Sequence, residues 1–64
     1  MPIKEEVVQF MTNIINDLNR QGAQAQGVSD DEIERAIAEH QQQLMFVNSV
    51  IYDGLVANNL IVSG

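Results

Sequence analysis

The stretch "QQQLMFVNSVIYDG", residues 41–54, marks the point where a charged chain becomes apolar. From residue 44 to residue 62, thirteen of nineteen side chains are apolar, and at helical spacing they surround the whole circumference. That pattern is typical of a helix that is buried on all sides. A chain of 64 residues has little else with which to cover such a helix, so the fold depends on what packs against this segment.

The length of the chain limits what it can do alone. We expect residues 1–64 to form a single helical domain, and one core of this size rarely supplies more than ~3–5 kcal/mol of stability. The sequence has no cysteine, so neither a disulfide nor a thiolate metal site can add to that core. The composition therefore favours an oligomer held together by apolar packing.

The charge excludes several classes of partner. A net charge of −6 repels nucleic-acid phosphates and anionic membrane surfaces. The apolar segment contains Asp53 and several Asn residues, which are costly in lipid. Residues 1–10 lack the basic start and unbroken apolar run of a secretory signal. We expect a cytoplasmic protein that binds neither nucleic acid nor membrane directly.

The first predicted helix covers about residues 3–20. Its apolar side chains recur at helical spacing and span an arc of about 160°, which is wider than one neighbouring helix can cover. They are Ile3, Val7, Val8, Phe10, Met11, Ile14, Ile15 and Leu18. Arg20 suits the last turn of this helix because its charge complements the helix dipole. Two glycines then frame residues 21–29, which we predict to be a loop.

The second predicted helix covers about residues 30–58. Residues 29–32, "SDDE", have the form of a capping box, in which Ser29 and Glu32 cap each other's backbone N–H. Apolar residues then follow alternating spacings of three and four, as in a heptad seam. From this seam we predict an oligomer interface made of Ile37, His40, Leu44, Val47, Ile51 and Leu55. A break at residues 53–54, which would turn the remainder back as a third element, stays open.

These elements predict an all-α fold, a helical hairpin with a short helix 1 and a long helix 2. At 1.5 Å per residue, helix 1 is expected to cover only the first two-thirds of helix 2. A second copy of the chain would cover the rest, giving a homodimer built as a four-helix bundle or a coiled-coil-like assembly. The sequence leaves open whether the two copies run parallel or antiparallel.

The sequence contains no catalytic template. No serine is paired with a base, no glycine-rich phosphate loop is present, and His40 is the only histidine. We interpret His40 as a polar residue that sets the register of the seam. We expect a protein that is not an enzyme and that holds neither cofactor nor metal.

The function expected from these features is protein–protein interaction. The chain would be a homo-oligomeric regulator, adaptor or assembly factor that binds another protein through its helical surface. The acidic side chains that could contact such a partner are Asp30, Asp31, Glu34 and Glu39. The alternative is an acidic inhibitor, of phage or plasmid origin, whose carboxylates mimic nucleic-acid phosphates and block a nucleic-acid-binding enzyme or repressor.

Overall fold

The computed structural model describes residues 3–62, which form two α-helices and no strand. Helix α1 spans Lys4–Ala25 and helix α2 spans Asp30–Ala57. An ion pair joins Lys4, at the start of α1, to Asp53, near the end of α2. A second ion pair joins Arg20, near the end of α1, to Glu34, near the start of α2. The two helices therefore run antiparallel. The all-α helical hairpin predicted from the sequence is confirmed. The hairpin is elongated, measuring 41 × 19 × 17 Å.

The connection between the helices is shorter than predicted. The prediction of a loop over residues 21–29 is wrong for residues 21–25, which continue α1. Alanine and glutamine favour helix, and Gly22 in the interior costs only about 1 kcal/mol, so the helix passes through it. Arg20 is therefore not in the last turn. The helix ends in a Schellman motif, in which Gly27 has a φ of +81° and the Val28 N–H donates to the Ala23 carbonyl at 3.1 Å.

Helix α2 begins after Ser29 as predicted, with the hydrogen bond to the Ser29 hydroxyl as the observed half of the predicted capping box. The Glu32 backbone N–H donates to the Ser29 hydroxyl at 3.3 Å. The helix runs through residues 53 and 54 without a break, which excludes the alternative of a third element starting there. It ends in a second Schellman motif, with Asn59 at a φ of 59° and the Leu60 N–H donating to the Leu55 carbonyl at 2.9 Å.

Two ion pairs hold the ends of the hairpin. At one end, Lys4 Nζ lies 2.9 Å from Asp53 Oδ1. At the other end, the Arg20 guanidinium donates two hydrogen bonds to the Glu34 carboxylate, at 2.8 and 3.1 Å. The expectation that helix 1 covers only two-thirds of helix 2 is wrong, because the longer α1 reaches Asp53. Ile51 therefore lies within the length of α1, and only the last turn of α2 extends beyond it.

Polar side chains occupy the middle of the helix–helix contact. Thr12 and Asn48 are completely buried, and the Asn48 side-chain amide donates to the Thr12 hydroxyl at 2.9 Å. One turn away, the Asn16 amide donates to the Gln41 side-chain carbonyl at 3.1 Å. The buried apolar residues are Val8, Ile33 and Tyr52. The core of a single hairpin is therefore small and partly polar.

Candidate interaction surfaces

One apolar surface of α1 faces away from α2. Three side chains on this surface, Phe10, Ile14 and Leu18, are 63%, 44% and 62% exposed. They follow the residues that face α2, namely Val8, Thr12 and Asn16, by two positions each. Two positions correspond to about 200° around an α-helix. We call Phe10, Ile14 and Leu18 the α1 ridge, and it lies opposite the α1–α2 contact.

Helix α2 also carries apolar side chains on its outer side. Phe46 and Val50 lie two positions before and after the buried Asn48, and both are exposed. The prediction that this segment is buried all around its circumference therefore does not hold for one hairpin. The arrangement is inside-out near the middle of the molecule, with polar side chains between the helices and apolar side chains outside.

A groove of about 480 Å³ runs along one side of the hairpin. Four of the predicted interface residues line it, namely Ile37, His40, Leu44 and Val47. Residues of α1 and of the connection form the opposite wall and one end of the groove, namely Asn16, Asn19, Ala23 and Val28. The Schellman motif that ends α1 places Val28 beside Ala23 in this wall. The contribution of residues 23 and 28 was missed in the sequence because both fell in the predicted loop.

The predicted interface continues from the groove toward the end of α2. Ile51 follows Val47 by four positions, so both lie on one side of the helix, and each is 44% exposed. Leu55 is half-buried one turn later, whereas His40 is exposed at the groove. The six predicted residues thus form a continuous seam along α2, and the hairpin leaves much of that seam uncovered.

The predicted acidic patch is divided by an ion pair. Asp30, Asp31 and Glu39 are exposed, and no ion pair engages them within residues 3–62. Glu34 instead accepts both hydrogen bonds from Arg20, which holds the pKa of its carboxyl below the usual value. Arg20 also contacts Asp17 at 2.8 Å. Glu34 therefore joins the two helices, and the three remaining residues form a smaller charged surface.

The exposed area of the chain is large for its mass. It amounts to 4760 Å², whereas a compact monomer of this mass exposes about 4,100 Å². The radius of gyration is 13.9 Å, against about 11 Å for a compact domain of this length. The excess area is similar in size to the ~800 Å² that each partner buries in a standard protein–protein interface.

Other kinds of site have little support in the described part of the chain. Within residues 3–62, no group of three or more His, Asp or Glu side chains is arranged to hold a metal ion. Neither helix is sufficiently long and apolar to cross a bilayer. The comparisons with protein-family models, curated proteins and solved structures give no match to the chain. The exposed apolar side chains of α1 and α2 are the most prominent feature of the described surface.

Proposed function

We propose that the protein is a non-enzymatic interaction module that forms a homodimer and binds another protein through its helical surface. The observation that carries this proposal is the distribution of side chains, with polar residues in the middle of the helix–helix contact and apolar residues on the outside. Thr12 and Asn48 occupy the helix–helix contact, whereas apolar side chains on both helices face solvent. A solvent-facing surface of this kind marks a site of protein association.

The dimer interface in this proposal is the α2 seam. Packing of Leu44, Val47 and Ile51 against a second copy would bury apolar surface. Each Å² buried would stabilise the dimer by about 25 cal/mol. In a dimer with a two-fold axis, the same surface of each copy contacts the other copy. The α2 seam of one copy would then fill the groove of its partner. Four helices would then pack as a bundle.

A second copy is a suitable occupant because the hairpin needs its partner in order to be stable. Within residues 3–62, only Val8, Ile33 and Tyr52 are buried apolar residues in a single hairpin. A core of that size is marginal for a chain of this length. A partner that must be present whenever the chain folds is most simply another copy of the chain.

Sedimentation equilibrium tests the assembly. At micromolar concentration we expect about twice the monomer mass of 7.1 kDa, together with a helical circular dichroism spectrum. Each copy carries a charge of −6, so added salt should strengthen the dimer by screening the repulsion between copies. A folded helical monomer that persists at high protein concentration in high salt would show that the seam is not a dimer interface.

A further inference from the structure

The α2 seam has two parts that differ in shape. Its first part, up to Val47, forms one wall of the groove, and Ala23 and Val28 close the groove at the end nearest the connection. Its second part lies outside the groove, where Ile51 is 44% exposed and Leu55 is half-buried. One part of the seam is therefore concave, and the other part offers exposed apolar side chains of a size that suits it.

A parallel and an antiparallel pair of α2 helices use these two parts differently. In a parallel dimer with a two-fold axis, each residue of the seam lies opposite the same residue of the partner. The two grooves then face each other and enclose space that no side chain fills, which forfeits packing contacts. In an antiparallel dimer, the first part of each seam lies opposite the second part of the other, so each groove receives apolar side chains.

The middle of α2 sets the register of the antiparallel arrangement. Leu44 lies at the centre of the helix, so a two-fold axis beside Leu44 lets the two α2 helices overlap over their whole length. In this register Ile37 of one copy lies at the level of Ile51 of the partner subunit. Ile33, which also lines the groove, lies at the level of the partner's Leu55. The two-fold axis thus creates two identical groove contacts.

The charges along α2 favour the same arrangement. Residues 30–39 carry five carboxylates and one cation, Arg35. Residues 40–57 carry one carboxylate, Asp53, which is paired with Lys4. A parallel dimer brings the two negative segments together. An antiparallel dimer places each negative segment beside the nearly neutral segment of the partner, and it also brings opposite ends of the helix dipoles together.

We propose that the dimer is antiparallel, with its two-fold axis beside Leu44 and with Ile51 and Leu55 of each copy seated in the groove of the other. This inference rests on the proposed homodimer and adds its direction, its register and the side chains that fill the groove. Each groove is complete only when the partner supplies these two side chains.

Distances between spin labels on the full chain measure the direction of the two helices. The sequence has no cysteine, so Asp31→Cys and Gln42→Cys can each be labelled at a single site. The two positions are three helical turns apart and therefore lie on the same side of α2. Both are exposed and outside the seam. The two labels differ mainly in how far they lie from the two-fold axis along the helix.

Pulsed electron paramagnetic resonance then separates the two arrangements. At 1.5 Å per residue, the antiparallel dimer places the two Asp31 positions about 39 Å apart along the helix and the two Gln42 positions about 6 Å apart. The distance between labels should therefore be longer for Asp31→Cys by at least about 15 Å. Equal distances at the two positions overturn the inference, because they require parallel helices, and leave the dimer standing. A folded monomer without dipolar coupling at either position overturns the homodimer and the inference with it.

Two alanine positions test whether the partner occupies the groove. Ala36 lines the groove and Ala38 does not, and both are exposed in a single hairpin. Ala36→Phe should take up the space that the partner needs and weaken dimerisation about tenfold or more in sedimentation. Ala38→Phe is the matched control and should dimerise like the parent chain. If Ala36→Phe also dimerises like the parent chain, the partner does not occupy the groove and the inference is overturned.

Discussion

Asn48 donates its side-chain amide to the Thr12 hydroxyl across the helix–helix contact, and both side chains are completely buried. The Thr12 hydroxyl in turn donates to the Val8 carbonyl at 2.8 Å. The carbonyl oxygen of the Asn48 side chain has no hydrogen-bond partner among residues 3–62. The pair fixes how the two helices align, while the unpaired oxygen lowers the stability of the contact.

A double-mutant cycle on this pair gives the first prediction. Thr12→Val leaves the buried Asn48 amide without any partner and should destabilise the fold by ~1–3 kcal/mol. Adding Asn48→Leu removes the unpaired group and should recover most of that loss. Urea unfolding of the two single variants and the double variant measures the coupling. Additive effects in the cycle would mean that these side chains do not interact.

This polar contact also shows where prediction from the sequence stops. The breadth of the apolar arc on α1 was recognised from the sequence alone. Which part of the arc would face α2 was not, because Thr12 and Asn48 interrupt the pattern and their pairing is visible only in three dimensions. Heptad spacing is a local property of the sequence, so the seam along α2 could be predicted. The groove is made by residues that lie far apart in the sequence, so it could not be predicted.

Local sequence signals predict the start of α2 correctly but not the end of α1. Ser29 caps α2 as predicted, since a capping box is encoded within four residues. The sequence places the end of α1 too early, because two glycines frame residues 21–29 and predict a loop there. Gly27, where the backbone enters the left-handed region, is the residue that ends the helix. The bond from Arg20 to Glu34 joins residues far apart in the chain and carries no local signal.

The two glycines near the end of α1 should respond to alanine in opposite ways. Gly27→Ala forces a side chain into a positive φ and should destabilise the protein by about 1 kcal/mol. Gly22→Ala lies inside α1 with open space around it and should stabilise by ~0.5–1 kcal/mol. Thermal unfolding of both variants tests the assignment. If alanine stabilises both positions equally, then residue 27 does not have the left-handed backbone of the Schellman motif that follows α1.

The cap of α2 gives a prediction about one hydroxyl group. Ser29→Ala removes the acceptor for the Glu32 N–H and should cost ~1 kcal/mol. The mass of the proposed dimer should not change, because residue 29 is outside the α2 seam. Ser29→Asp is the matched control, since aspartate is an equally good cap, and it should retain stability. The prediction fails if Ser29→Ala unfolds at the same temperature as the parent chain.

The Arg20–Glu34 ion pair predicts how stability depends on pH. The hydrogen bonds from Arg20 lower the pKa of Glu34 below its usual value of 4.5. The contribution of the pair is therefore fully present above that value and is lost as the pH falls through the lowered pKa. Glu34 is exposed and Arg20 is half-exposed, so the effect is small. Glu34→Gln should be less stable than the parent at neutral pH, and the difference should disappear in acid. A difference that persists unchanged in acid would assign the effect to a cause other than this ionisation.

Substitutions at two neighbouring positions of α2 test which surface forms the proposed dimer interface. Ile51 lies on the α2 seam and Val50 on the outer side of the same helix, and both are exposed in a single hairpin. In the proposed dimer, aspartate at position 51 would place a charge in a desolvated interface at a cost of several kcal/mol. Separation of the chains avoids that cost, so Ile51→Asp should give a monomer, and the small core of one hairpin should leave it largely unfolded. Val50→Asp should remain a helical dimer, because its carboxylate stays in water.

Sedimentation and circular dichroism on both variants complete the test of the interface. The two positions are adjacent in sequence and in the same helix, so a general effect of aspartate on helix formation would lower the helicity of both variants alike. Only an interface on the α2 seam makes the Ile51 variant dissociate while the Val50 variant does not. If Val50→Asp dissociates and Ile51→Asp does not, the chains meet through the outer side of α2. The groove lined by Leu44 and Val47 would then be free for a partner.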